Sequence, residues 1–212
     1  MSMNGREAIL GAIRQATQRI PPSSEGNTTQ DYRSGLDLTP GEIIDRFASR
    51  LADYGVTVLH AKEAEIADVA SAQLATRRIG TLLIPPGLPR AWHPQGPQIV
   101  EDTGQTARAL DQIAGVMAGC AVAIAESGTI VLDAGPGQGR RAATLLPDYF
   151  LCVVRAEQVV GLLPEAMPRL RPAVLEGRPI TFISGPSATA DIELNRVQGV
   201  HGPRTLDVIL AG

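Results

Sequence analysis

Two apolar runs, residues 121–125 (AVAIA) and 129–132 (TIVL), stand three residues apart, with Glu126-Ser127-Gly128 between them. Each run is short, apolar and partly β-branched, the composition of a buried strand, and Ser-Gly is a turn signal. A parallel crossover needs about a dozen residues or more, so the two runs are confined to a local antiparallel hairpin. That constraint puts Glu126 at a turn between buried strands. A carboxylate there is costly to bury unless it is paired or hydrogen-bonded. Glu126 therefore reaches solvent, meets Arg140 or Arg141, or belongs to a site.

The hairpin runs on into Asp133-Ala-Gly-Pro-Gly-Gln-Gly-Arg-Arg141, then a short segment, 142–146, with the character of a helical turn. Alternating glycines can expose main-chain N–H groups, a helix start favours negative charge, and arginine forks add bidentate contacts to a carboxylate or phosphate. Gly137, Gly139 and Arg140 are the candidate anion-binding residues here. The competing reading is a tight surface turn whose glycines serve geometry and whose arginines are solvated. The spacing is neither G-x-G-x-x-G nor a P-loop, so no nucleotide fingerprint follows.

Around this stretch, short apolar runs alternate with helical patterns. Helical spacing of Ile9, Leu10, Ile13 and Ile20 marks an amphipathic helix within residues 1–20, closed by Pro21-Pro22. Residues 21–39 are polar and without period, a linker. From 40 to 212 the pattern is that of one α/β domain. Thr39-Pro40 opens a helix over 41–54, strands follow at 56–59 and 81–84 with a helix over 63–74 between them, and 99–100 adds a short strand. Further strands fall at 149–154, 180–183 and 206–210; helical character is read at 106–117, 156–160 and 162–175, the last interrupted by Pro164 and Pro168. This alternation predicts a mostly parallel sheet flanked by helices.

Composition narrows the function. A net charge of −3 with mixed signs and 3% aromatic residues gives neither a basic stripe nor stacking platforms, which speaks against nucleic-acid binding. No apolar run approaches a bilayer span and residues 1–20 lack the apolar core of a secretory signal, so a cytoplasmic protein is expected. Cys120 and Cys152 lie in apolar runs with no ligand-like partners nearby, which predicts buried thiols and neither a zinc nor an iron–sulfur site.

Two later segments offer more candidates. Residues 184–193 follow a strand with small polar residues, and Ser184, Gly185 and Ser187 suit an anion or a helix cap. Asp191, nearer that turn than Glu193, is the acidic residue expected to face a pocket. In the turn Gly199-Val-His-Gly-Pro-Arg204, His201 can act as acid or base near neutrality and Arg204 can orient an anion. Ligands of open α/β sheets bind beyond the carboxyl ends of strands. One shared site is therefore expected, with Arg140, Ser187 and Arg204 holding a carboxylate or phosphate and Glu126 and His201 beside it.

Three segments in one order, AIAESGTIVLDAGPGQGRR, ISGPSATADIE and GVHGPRTLDVIL, resemble the LUD-domain family of lactate-utilisation proteins C. The resemblance implies a fold similar to the ribose-phosphate isomerase and CoA-transferase class. It also implies an accessory role in oxidising L-lactate to pyruvate beside partner proteins that carry the iron–sulfur clusters, with no cofactor bound by this chain. The same likeness supplies an alternative. Glu126 resembles the glutamate turn from which CoA transferases take their nucleophile, so a stand-alone acyl-transferring or phosphosugar-processing enzyme is the second reading.

Overall fold

In a computed structural model of the chain, residues 5–18, 32–189, 197–198 and 202–212 are described. They fall into two compact units, Met1–Tyr32 and Arg33–Gly212. The first contains the amphipathic helix α1 (Gly5–Thr17), none of whose residues is buried; Ile9 and Ile13 lie exposed.

The second unit opens with α2 (Pro40–Asp53), β1 (Thr57–Ala61), α3 (Ile66–Thr76), β2 (Thr81–Ile84), β3 (Gln98–Glu101) and α4 (Ala107–Leu110). It continues through β4 (Gly115–Gly119), the hairpin β5 (Val122–Ile124) and β6 (Thr129–Leu132), β7 (Tyr149–Arg155), β8 (Val159–Val160), α5 (Leu163–Leu175) and β9 (Thr181–Ile183). A two-stranded ladder, β10 (Ala188–Thr189) with β11 (Val197–Gln198), precedes the last strand, β12 (Thr205–Ala211). The start of α2 is the one its sequence dictates. Thr39 accepts from the Glu42 amide while the Glu42 carboxylate accepts from the Thr39 amide at 2.8 Å, and Pro40 fills the first turn, where its missing N–H costs nothing.

Six strands form the main sheet in the order β1-β12-β7-β4-β2-β3, every neighbouring pair parallel. A second sheet, β8-β5-β6-β9, carries the hairpin, and its β5–β6 and β6–β9 pairs are antiparallel. The two-residue strand period sorts the core. On β7, Phe150, Cys152 and Val154 pack with Phe47 and Leu51 of α2 and with Ile130 and Leu132 of the second sheet. Tyr149, Leu151 and Val153 face the other way, against Ile66, Ala70 and Leu74 of α3. The far face of the second sheet, Val122, Ile124 and Val131, is covered by Ala166 and Leu170 of α5. The order of layers is α3, main sheet, then α2 with the second sheet, then α5.

The parallel sheet and the hairpin agree with the sequence reading, and both cysteines are buried. Several local expectations are corrected. The hairpin and β9 stand with β8 in a second sheet, not in the parallel one: β6 is paired antiparallel on both edges, by β5 and β9, and the outer edge of β5 is taken by β8 in parallel. Of residues 106–117, read with helical character, only Ala107–Leu110 is helix, and Gly115–Gly119 is an inner strand paired along its length with β7 and at Gly115 and Val116 with β2; Gly115 has no room for a side chain, since a Cβ would lie 2.9 Å from the ring of Tyr149. Residues 156–160 are a single 3-10 turn followed by β8. Helix α5 runs through Pro168 and Pro172 without ending, its apolar face held on the second sheet.

Candidate functional site

The chain passes from β2 to β3 at the sheet edge and then returns to the other side of β2 to form β4. This reversal opens a crevice beyond the carboxyl ends of β2 and β4, the place where open α/β sheets hold ligands. A cavity of about 660 Å³ occupies it. Its walls are Pro86 and Gly87 after β2, Asp102 and Gly104 after β3, the loop 134–141, and Pro179.

The glycine loop is locked in place from several directions. The Gly137 carbonyl accepts from the Gly119 amide at the end of β4, and the Gly137 amide donates to the Pro86 carbonyl, both at 2.8 Å. Gly87 makes this approach possible: its φ is +86°, and a Cβ there would stand 2.8 Å from the Pro136 ring. Arg178 donates to the Asp133 carbonyl and pairs with its carboxylate, both at 2.9 Å, while the Asp133 amide donates to Gln138 at 2.7 Å. The amides of Gly135, Gly137 and Gln138 are all spent within the protein. The expected cradle of free N–H groups is thus corrected for these three: they hold the loop together.

The two arginines at the end of the loop differ in their commitments. Arg140 lines the cavity, but its Nε donates to both oxygens of the buried Asp102 at 3.0 Å and an Nη donates to the Gln105 carbonyl at 2.7 Å. Arg141 is exposed, and among the described residues no carboxylate pairs with it. It borders the large cavity and also a second one of about 330 Å³.

That second cavity is lined by Thr144 and Leu145, by Phe150 and Leu206 at the amino ends of β7 and β12, and by Ser184, Gly185 and Ser187. The loop after β9 does follow a strand's carboxyl end, but β9 belongs to the second sheet, so the loop comes to the opposite end of the main one. Arg140 and Ser187 therefore line different cavities. Arg204 lines neither; it forms an exposed bidentate pair with Asp148, which raises its pKa by hydrogen bonding. The shared site expected from Arg140, Ser187 and Arg204 is thus replaced by two cavities, both lined by Arg141. Gly139 lines the larger one and Gly137 is buried behind it. Asp191 and His201 lie outside the described residues.

Glu126 sits on the hairpin turn as expected, but its partner is neither loop arginine. It accepts from Arg46 of α2 at 2.7 Å, both side chains about two-fifths exposed, and it lines neither cavity. Next to it, the Ser127, Thr129 and Ser184 hydroxyls form a chain with both links at 2.7 Å, so the turn is coupled to the rim of the smaller cavity.

One charged cluster carries no sequence signal. The Asp207 side chain, fully buried on β12, binds Arg77 by both oxygens and accepts from Gln73 at 2.6 Å and from the Tyr149 hydroxyl at 3.0 Å. Burial first, and then the Asp207 charge, push the Tyr149 phenol well above its ordinary pKa. The cluster lies at the amino ends of the strands, away from the crevice, and is a structural clamp between α3 and the sheet. Among the described residues no group of His, Cys, Asp or Glu is arranged to hold a metal, and no helix is long and apolar enough to cross a membrane.

Comparison with known proteins adds a family. The LUD domain model matches residues 7–211. A protein of Deinococcus radiodurans named lactate utilization protein C is 44% identical over 97% of this chain and 91% of its own length. A protein of the same name from Shouchella clausii is 42% identical over a shorter stretch, 39% of this chain and 37% of its own. A crystal structure of a DUF162 family protein from Deinococcus radiodurans superposes with a TM-score of 0.72 at 38% identity, covering 82% of this chain and 99% of that one.

Proposed function

The chain belongs to the LUD-domain family, and from that premise we propose that it serves L-lactate utilisation as an accessory subunit that binds an anion in the crevice at Arg141. The observation that carries the site is the exposed guanidinium of Arg141, unpaired among the described residues, which lines two cavities, one of them at the switch point of a parallel sheet. A carboxylate or phosphate is the group such a fork binds bidentately. The name carried by relatives that span most of this chain supports the pathway.

In this reading the chain acts in the cytoplasm, and the electrons of lactate oxidation pass through iron–sulfur partner proteins while this chain holds an anion. Hydroxyls of Ser184 and Thr144 flank the smaller cavity and can complete the contacts of an anion's remaining oxygens. Glu126 has no part in it, being tied to Arg46 and outside both cavities.

The test is reconstitution: lactate-dependent dye reduction by the co-purified partners, without this chain, with it, and with its Arg141→Gln variant. Full activity only with the unaltered chain is the expected outcome. Equal activity in all three arms would remove the chain from the reaction.

A further inference from the structure

We propose that the crevice takes an anion carried on a flat ring system, a ligand much larger than a three-carbon acid; this deepens the anion reading above and rests on it. At about 660 Å³ the larger cavity falls in the range of pockets that enclose cofactor-sized molecules, and a six-heavy-atom acid at Arg141 would leave most of it unfilled.

Pro86, Pro136 and Pro179 with Gly104 supply flat, apolar surface and no hydrogen-bonding side chain. The polar side chains are Arg141, which has no carboxylate partner among the described residues, and the Asp102–Arg140 pair. Arg140 has spent its Nε and one Nη on Asp102 and the Gln105 carbonyl, and its side chain is still 39% exposed. One Nη has no partner among the described residues, so the exposed guanidinium offers two N–H donors as well as its planar face. That face stacks on aromatic and heteroaromatic rings. Asp102 and the Gln105 carbonyl hold the plane still, so little side-chain entropy is lost when a ring settles on it. Arg141 then reads the anionic substituent and Arg140 reads the ring.

The experiment compares the affinities of inorganic phosphate, phenyl phosphate, 1-naphthyl phosphate and adenosine monophosphate by calorimetric titration of the full chain. Affinity should rise with ring area, by about tenfold or more from phosphate to the best ring-bearing probe. Arg140→Lys keeps a cation beside Asp102 but removes the planar face. It should reduce the gain from the ring to about twofold or less, with a thermal melt confirming that the variant folds. Arg204→Gln should leave the whole series unchanged.

Probes that bind no more tightly than phosphate, or a ring gain that survives Arg140→Lys, would overturn the proposal. If the probes bind and Arg141→Gln weakens them but the ring adds nothing, the anion site stands and only the ring is lost. If no probe responds to Arg141→Gln, the anion reading fails and the ring proposal fails with it.

Discussion

Arg140 and Arg141 are adjacent and chemically identical in the sequence, yet one is bound on its edge and the other has no side-chain partner among the described residues. What separates them is Asp102, 38 positions away and brought to the loop only when β3 takes its place at the sheet edge. That a tight loop ending in two arginines stands here was legible from the sequence. Which arginine carries the free charge was not, because no local pattern encodes a partner from another strand. The same holds for Asp207, which reads as one polar residue in an apolar strand and is in fact the centre of a buried network. Asp207→Asn should cost about 3 kcal/mol, the lower end for breaking a buried pair because Arg77 keeps some solvent. Urea unfolding of the two proteins measures it, and a loss below about 1 kcal/mol, the scale of a surface pair, would demote the clamp.

At the scale of elements, the hairpin was the most legible feature, since three turn residues leave one connection available. Most strand positions in the parallel sheet followed from short apolar runs. The strand at Gly115–Gly119 did not: small residues give neither a helical nor a strand period, and Gly115 is selected by the Tyr149 ring on the neighbouring strand. Assignment of the hairpin to a second sheet was equally out of reach, because sheet membership is a long-range choice. Gly128 shows how tightly the hairpin turn meets α2. Its φ is +60°, and a Cβ would approach the Cβ of Arg50 to 2.7 Å. Substituting Gly128→Ala should destabilise by about 1–3 kcal/mol through backbone strain and overpacking, read as a lowered denaturant midpoint. At the other end of α2, Thr39→Ala removes a capping box and should cost about 1 kcal/mol by the same measurement. An unchanged midpoint in either variant would mean that α2 adjusts freely, contrary to the packing described.

For the whole molecule, the Asp207 clamp joins α3 to β1, β7 and β12, so its titration should be visible in global stability. The Tyr149 phenol is raised in the folded protein, whereas in the unfolded chain it ionises near its ordinary value of about 10. Below that pH the two states bind the same phenolic proton and the stability is fully present. Above it the unfolded state releases its proton first, so stability falls as pH rises toward the folded value. Unfolding midpoints between about pH 8 and 11 should therefore drop more steeply for the wild type than for Tyr149→Phe. Parallel slopes would remove Tyr149 as the cause.

In the proposed function Arg141, which lines both cavities, holds an anion. Calorimetric titration of the wild type, Arg141→Gln and Arg204→Gln with L-lactate, pyruvate and inorganic phosphate in turn tests it most directly. At least one of these anions should bind the wild type and lose tenfold or more in affinity, about 1.5–3 kcal/mol, in Arg141→Gln, with Arg204→Gln unaffected because the Arg204 guanidinium is already bound to Asp148. Equal binding by wild type and Arg141→Gln, a loss confined to Arg204→Gln, or no binding at all would contradict it.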